Sequence, residues 1–220
     1  METLGRVTAV ERQKRNKSRV SVHVEDSYLG SVDDVVWVRS GLKAGDLLSA
    51  ALWQDMQQRQ EAQAALDRAI GHLASRARSV AQVQRHLGEK GFSAEAIESA
   101  VAKLTEYGYL DDGLYAQMLV RDRVHLKGTG RQAIARELKQ QGVSPEDAEA
   151  ALAQYDEEGE LDAARQQAQR AMAQTAREAD PRKRRAKVYA SLARKGFGGD
   201  VIAQALKGLE HGEDDESGDE

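Results

Sequence analysis

Along the first thirty residues apolar and polar positions alternate. "LGRVTAVE" and "RVSVHVED" each repeat their apolar residues at every second position, the period of a strand with one buried face. Between them "RQKRNK" reads as a hairpin tip, and "SYLGSV" is a candidate third strand. The spacing then becomes helical over "VDDVVWVRSGLKAGDLLSAAL", with Gly41 as a stop and Asp46 as a start. One long helix is predicted from about 46 to 75, polar on most faces in "QDMQQRQEAQAAL". Residues 1–45 are thus expected to form a small β-rich domain and residues 46–61 a linker helix.

Beyond that point one helical phrase is written three times. "LGEKGFSAEAIESAVAKL" occupies 87–104, "LKQQGVSPEDAEAALAQY" 138–155 and "LARKGFGGDVIAQALKGL" 192–209. In each, a leucine (Leu87, Leu138, Leu192) precedes a glycine by four residues (Gly91, Gly142, Gly196). The period of 51 to 54 residues accommodates three helices per unit. The glycine falls where a helix end calls for left-handed backbone, and Phe92, Val143 or Phe197 beside it can plug the corner. The third helix of each unit is expected to bury Ile97 and Leu104, Ala148 and Tyr155, or Ile202 and Leu209.

Cap signals mark the start of each middle helix. Ser79 with Gln82 has the spacing of a capping box, Thr129 with Gln132 repeats it after a terminating Gly128, and Asp180 precedes a first-turn Pro181. The expected fold is therefore mainly α: tandem three-helix repeats forming an elongated curved array behind the β-rich domain. The repeats are assigned to 62–110, 111–157 and 158–209.

Composition agrees with slim helices, since aromatics are 5% and only two prolines occur in 220 residues. The absence of cysteine excludes disulfides, thiolate catalysis and cysteine-ligated metal sites. The N-terminal stretch has no apolar core of a leader and no run approaches a membrane span, so a cytoplasmic protein without membrane contact is expected. The net charge of −4 conceals an asymmetry: "EHGEDDESGDE" at 210–220 holds seven carboxylates, and without them residues 1–209 carry +3. That tail is expected to be disordered, either as a solubilising segment or as an electrostatic mask over the protein's own basic surface.

Catalytic patterns are missing from the chain. His23, His72, His86, His125 and His211 fall at no metal-ligand spacing, and no phosphate loop or nucleophile elbow occurs in its required context. Asp33–Asp34 and Asp111–Asp112 read as helix caps. No enzyme, cofactor or metal is expected. Cations, by contrast, recur. "RQKRNKSR" places Arg12, Lys14, Arg15, Lys17 and Arg19 within eight residues. The first repeat offers Arg76, Arg78, Arg85 and Lys90. The second offers Arg121, Arg123, Lys127, Arg131, Arg136 and Lys139. The third offers the run Arg182 to Arg185, of which Arg184 is singled out, then Lys187, Arg194 and Lys195. On the helix after Pro181, Val188, Tyr189 and Leu192 form the expected apolar stripe, with Arg184, Lys187 and Arg194 on another face. Successive basic ridges suit an extended acidic partner, either nucleic-acid phosphates or a filament with acidic grooves. Tyr107, Tyr109 and Tyr115 are read as packing around a helix junction, so any DNA contact is expected to be electrostatic, with little sequence preference.

Taken in order, "ALDRAIGHLASRARSVAQVQRHLGEKGF", "VAKLTEYGYLDDGLYAQMLVRDRV", "KGTGRQAIARELKQQGV" and "SLARKGFGGDVIAQAL" resemble the bacterial RecX regulators of the RecA recombinase. The resemblance covers nearly the whole chain except the acidic tail. It implies tandem three-helix repeats, binding in the groove of the RecA–DNA filament, and restraint of strand exchange, ATP hydrolysis and the co-protease activity that triggers the SOS response. It also implies binding to single- and double-stranded DNA, and a monomer is expected. This chain departs from the family at Gln82, where an acidic residue is common, at Gln141, where lysine is common, and at Tyr115, where phenylalanine is usual. A stand-alone DNA-binding transcriptional regulator built of helical repeats is the alternative reading, because a three-helix unit can present a helix to a groove.

Overall fold

In the computed structural model of the chain, residues 2–212 are described, with side chains through Lys207. The described residues divide into two compact units, one of residues 2–76 and 83–110, the other of 77–82 and 111–212.

The first unit opens with an antiparallel sheet. Strands β1 (Thr3–Arg12), β2 (Arg19–Val24), β3 (Ser27–Asp33) and β4 (Leu47–Ser49) lie in the order β3-β2-β1-β4. The alternation read in the sequence is the burial pattern: Val20, Val22 and Val24 point inward from β2, joined by Val7, Val32 and Leu48. The β2–β3 turn places Glu25 and Asp26 at positive φ, the backbone a tight two-residue hairpin needs. Helix α1 (Asp34–Ser40) ends on Gly41 at φ 73, as expected.

The segment expected to be a linker helix differs from its reading. Leu47–Ser49 is a strand paired with β1, and helix α2 (Ala50–Leu73) begins after Ser49, whose Oγ accepts from the Leu52 amide. Asp46 starts no helix. Its carboxylate instead accepts from the Lys43 amide in the preceding turn. The first half of α2 packs Trp53 and Met56 onto the sheet, where Trp53 lies against Gly30. Its second half buries Ala65, Leu66 and Ala69 and packs on α4 (Ala94–Glu106). Two neighbouring side chains anchor the middle of the rod. Gln60 accepts from the Asp33 amide at 2.8 Å, and Glu61 accepts from both the amide and the hydroxyl of Ser93, at 2.7 and 2.8 Å.

Helix α3 (Val80–Glu89) precedes α4, and its capping box forms as predicted: Gln82 N–H donates to Ser79 Oγ and Ser79 N–H to Gln82 Oε1, both at 3.2 Å. Leu87 and Leu104 are buried. Ile97 is only half-buried, because Ala96 and Ala100 take the inward positions of α4.

The second unit contains α5 (Asp112–Asp122), a π-helical turn (Arg123–Lys127), α6 (Arg131–Gln140) and α7 (Pro145–Leu152), then α8 (Glu157–Gln174), α9 (Pro181–Arg194) and α10 (Gly199–Gly212). One core joins Ala116, Ile134, Leu138, Val143, Leu152 and Tyr155; another joins Ala164, Ala168, Val188, Leu192, Phe197, Ile202 and Leu206. Ala148 is half-buried at the edge of the first. Tyr189 leaves the apolar stripe and is 44% exposed, since Val188 and Leu192 alone face inward. The Asp180–Pro181 start holds, with Asp180 accepting from the Arg182 and Lys183 amides. The helix α10 backbone runs to Gly212, past the expected end at 209. The side chain of Leu209 and the rest of the acidic tail, 213–220, lie outside the described residues.

The three corners share one geometry. Gly91, Gly142 and Gly196 have φ of 83, 77 and 86. In each, the amide after the glycine donates back to the carbonyl of the repeated leucine: Phe92 to Leu87 at 3.3 Å, Val143 to Leu138 at 3.1 Å, Phe197 to Leu192 at 3.3 Å. Within the second unit two corners are also covered. The carbonyl before Gly142 accepts from Ser79 Oγ at 2.6 Å, and that before Gly196 accepts from the Gly130 amide at 2.9 Å. A Cβ on Gly142 would clash with Ala81, and one on Gly196 with Ala133.

That close approach overrides the Thr129–Gln132 cap. Helix α6 starts at Gly130 with no side-chain cap of its own; the Gln132 amide donates to the Gly196 carbonyl and the Arg131 amide to Glu160. Gly196→Ala is therefore expected to cost about 3 kcal/mol or more, from left-handed strain plus overpacking, against about 1–2 kcal/mol for Gly91→Ala at an open corner. Urea denaturation of the two variants measures the difference.

Candidate functional site

The fourteen cations singled out by recurrence separate by what they touch. Arg76, Arg85, Lys90, Arg121, Lys127, Arg136, Lys139 and Arg194 are exposed. Of these, Arg136 donates only to the Gln132 carbonyl one turn back on its own helix, which leaves most of the guanidinium outward. Arg78 is half-buried and engaged within the fold.

Three others hold the second unit together. Arg123, on the π-helical turn, makes a two-pronged pair with Glu137 of α6, its Nε at 2.7 Å from Oε2. That hydrogen bond holds the Glu137 carboxyl below the usual carboxylate range. Arg131 reaches across to the ends of α7 and α8. Its guanidinium donates to the Leu152 carbonyl at 3.1 Å, to the Tyr155 carbonyl and to Glu160 Oε2 at 3.4 Å, and it lies over the Tyr155 ring. Glu160 is 5% exposed. Arg184 turns inward to the Met172 carbonyl at 3.1 Å, closing the last turn of α8. An arginine's fork of donors suits orphan helix-end carbonyls as well as phosphate.

Lys187 pairs with Glu178 at 2.5 Å, which lowers the Glu178 carboxyl. Lys195 is half-buried, and its Nζ donates at 3.4 Å to the Lys127 backbone carbonyl at the end of the π-helical turn. On α9 the outward side chains of the first turn are Arg182 and Lys183 rather than Arg184. Arg184 is drawn to the Met172 carbonyl of α8, while Arg182 and Lys183 give only their backbone amides to Asp180 and keep exposed side chains.

Two further readings change. Tyr107 and Tyr109 are 63% and 67% exposed instead of packed, whereas Tyr115 is half-buried and its hydroxyl accepts from Gln82 at 3.4 Å. Leu114 and Met118, one turn apart on α5, are also exposed, which the helical spacing alone did not reveal. The departures at Gln82 and Gln141 touch each other, amide to amide at 2.5 Å. The Asp111–Asp112 pair does cap helices, but two different ones: Asp111 accepts from Leu114, and Asp112 from the Val80 amide of α3. Burial pushes the Asp112 carboxyl up against that hydrogen bond, and Asp147 and Asp111 add to the rise. Among the described residues no group of three His, Asp or Glu could hold a metal, and no helix is long and apolar enough to cross a membrane.

Comparison with known proteins matches four consecutive segments to RecX domains: the N-terminal domain at 5–49 and the first, second and third three-helix domains at 65–104, 111–152 and 158–206. A "Regulatory protein RecX" from Clostridium botulinum (strain Alaska E43) is 31% identical over 93% of this chain and 96% of its own. One from Bacillus licheniformis is 30% identical over 95% of this chain and 79% of its own. Among solved structures, "Crystal structure of regulatory protein RecX" superposes at a TM-score of 0.73 with 24% identity, covering 93% of this chain and all of that one. RecX from Lactobacillus salivarius gives 0.63 with 22% identity, over 68% and 97%. These two carry the fold.

Arg131→Ala is expected to destabilise the second unit by about 2–4 kcal/mol, because Glu160 and two carbonyls lose their partner; urea titration followed by circular dichroism measures it. Arg123→Gln is expected to cost about 1–2 kcal/mol at neutral pH. The folded Glu137 value is depressed, so the pair's contribution is complete above the ordinary carboxylate range and lost as pH falls through the depressed value. The gap between variant and wild type should then narrow below about pH 4 in the same titration.

Proposed function

The chain belongs to the RecX family, and on that footing we propose that it is a negative regulator of the RecA recombinase. It binds the RecA–DNA filament as a monomer in the cytoplasm and restrains strand exchange, ATP hydrolysis and co-protease activity, thereby modulating DNA repair and the SOS response. It catalyses no reaction itself and needs no cofactor.

The observation that carries this reading is the set of cations that the fold leaves facing outward. Arg136 and Lys139 stand on α6, Lys127 at the π-helical turn, and Arg182, Lys183 and Arg194 on α9, with no carboxylate between Asp180 and Asp200. Such side chains displace counterions from phosphates, which gives affinity without reading bases. Binding to single- and double-stranded DNA with little sequence preference follows from the same charges, and it falls steeply as salt rises.

The test measures RecA ATPase on single-stranded DNA with increasing protein. Inhibition at stoichiometric amounts is expected; its absence at a large excess, or tight binding to one duplex sequence without the filament, refutes the reading. Arg136→Glu with Lys139→Glu should raise the concentration for half-inhibition about tenfold or more, equivalent to about 1.4 kcal/mol of binding, while the melting curve keeps its midpoint. Arg131 is kept out of that pair because its removal would unfold what is being tested.

A further inference from the structure

The corners at Gly142 and Gly196 are each covered by the first turn of a helix, and the corner at Gly91 is bare. Gly91 is exposed, and a Cβ there would meet nothing within 4 Å. The Lys90 carbonyl, the counterpart of the Gln141 and Lys195 carbonyls that accept from Ser79 and Gly130, accepts no hydrogen bond among the described residues. The bare corner is nonetheless fully built: Phe92 donates back to Leu87, and Glu61 fixes Ser93 at the start of the next helix.

We propose that the Gly91 corner is a docking site for the first turn of a helix in a protein partner, and that this partner is a RecA protomer in the filament. The second half rests on the reading above. The first half rests on the two internal copies, which display what such a corner accepts. Each incoming turn brings a small residue with a hydrogen-bond donor at the helix start, Ser79 or Gly130, and an alanine two or three residues later, Ala81 or Ala133, against the bare glycine. The match closes an orphan carbonyl with a donor and sets the negative end of one helix against the positive end of another. A second copy of this chain is a poorer occupant. Its last module offers the start of α9, where Asp180 already takes the first amides and Lys183 occupies the place of Ala133.

Gly91→Asn tests the proposal, because asparagine tolerates left-handed backbone while its side chain fills the space an alanine would need. The variant should melt within about 5 °C of wild type and bind the RecA filament on single-stranded DNA at least about tenfold more weakly. Equal affinity overturns the inference alone; a wild-type chain that does not bind the filament removes the regulator reading with it. Self-association in sedimentation that Gly91→Asn abolishes, with filament affinity unchanged, would assign the corner to a second copy and also overturn it. Should Gly91→Asn unfold, the cysteine-free chain allows a second readout. Maleimide labelling of Glu89→Cys, beside the corner, should slow several-fold when filament is added, and labelling of Ala203→Cys on α10 should slow less. Equal slowing of both, or no slowing of either, counts against the proposal.

Discussion

Where Gly196 lies against Gly130 and Ala133, two backbones come closer than even a single Cβ on either glycine would permit. Much of the second unit follows from that contact. A helix that ends in left-handed glycine leaves its last carbonyls without partners, and a helix that begins at a small residue leaves its first amides without partners. Here each supplies what the other lacks: Gly130 N–H to the Lys195 carbonyl and Gln132 N–H to the Gly196 carbonyl. The pairing is directional, since an end meets a beginning, so each such contact leaves one end and one beginning to spare. Repetition of the leucine–glycine phrase reflects this demand on the backbone more than any demand of a ligand.

The same demand sorts the charges. Arg123, Arg131 and Arg184 lie at or near helix ends and are drawn into carbonyls and carboxylates there. Arg136, Lys139 and Arg194 sit in the middle or at the far end of their helices, with those needs already met, and remain outward. Recurrence in sequence marks where cations are kept; it does not distinguish a cation that ties a corner from one that faces solvent. That distinction depends on groups such as Glu160, 29 residues after Arg131 along the chain, and no local pattern contains it.

The features legible in the sequence were those whose cause is local. Alternation gave β1 and β2, the Ser79–Gln82 spacing gave a capping box, Asp180–Pro181 gave a helix start, and the three glycines gave their positive φ. Strand β4 escaped because three residues carry no periodicity and pair with β1 more than forty positions earlier. The cap expected at Thr129 was displaced by a tertiary contact with Gly196. Tyr107 and Tyr109 were expected to pack because tyrosines near a helix end often do, but Leu104 and Leu110 fill the interior there and leave both rings outside. Of the candidate surface, the positions of the cations were visible and their commitments were not.

Helix α2 looked like tether, a polar stretch joining two domains. Gln60 and Glu61 make it something else, for one grips the end of β3 and the next grips the start of α4. With consecutive residues fastened to different layers, the rod has no place to bend between them. The middle of the rod is therefore a rivet, which holds the end of β3 and the start of α4 at neighbouring positions on one helix.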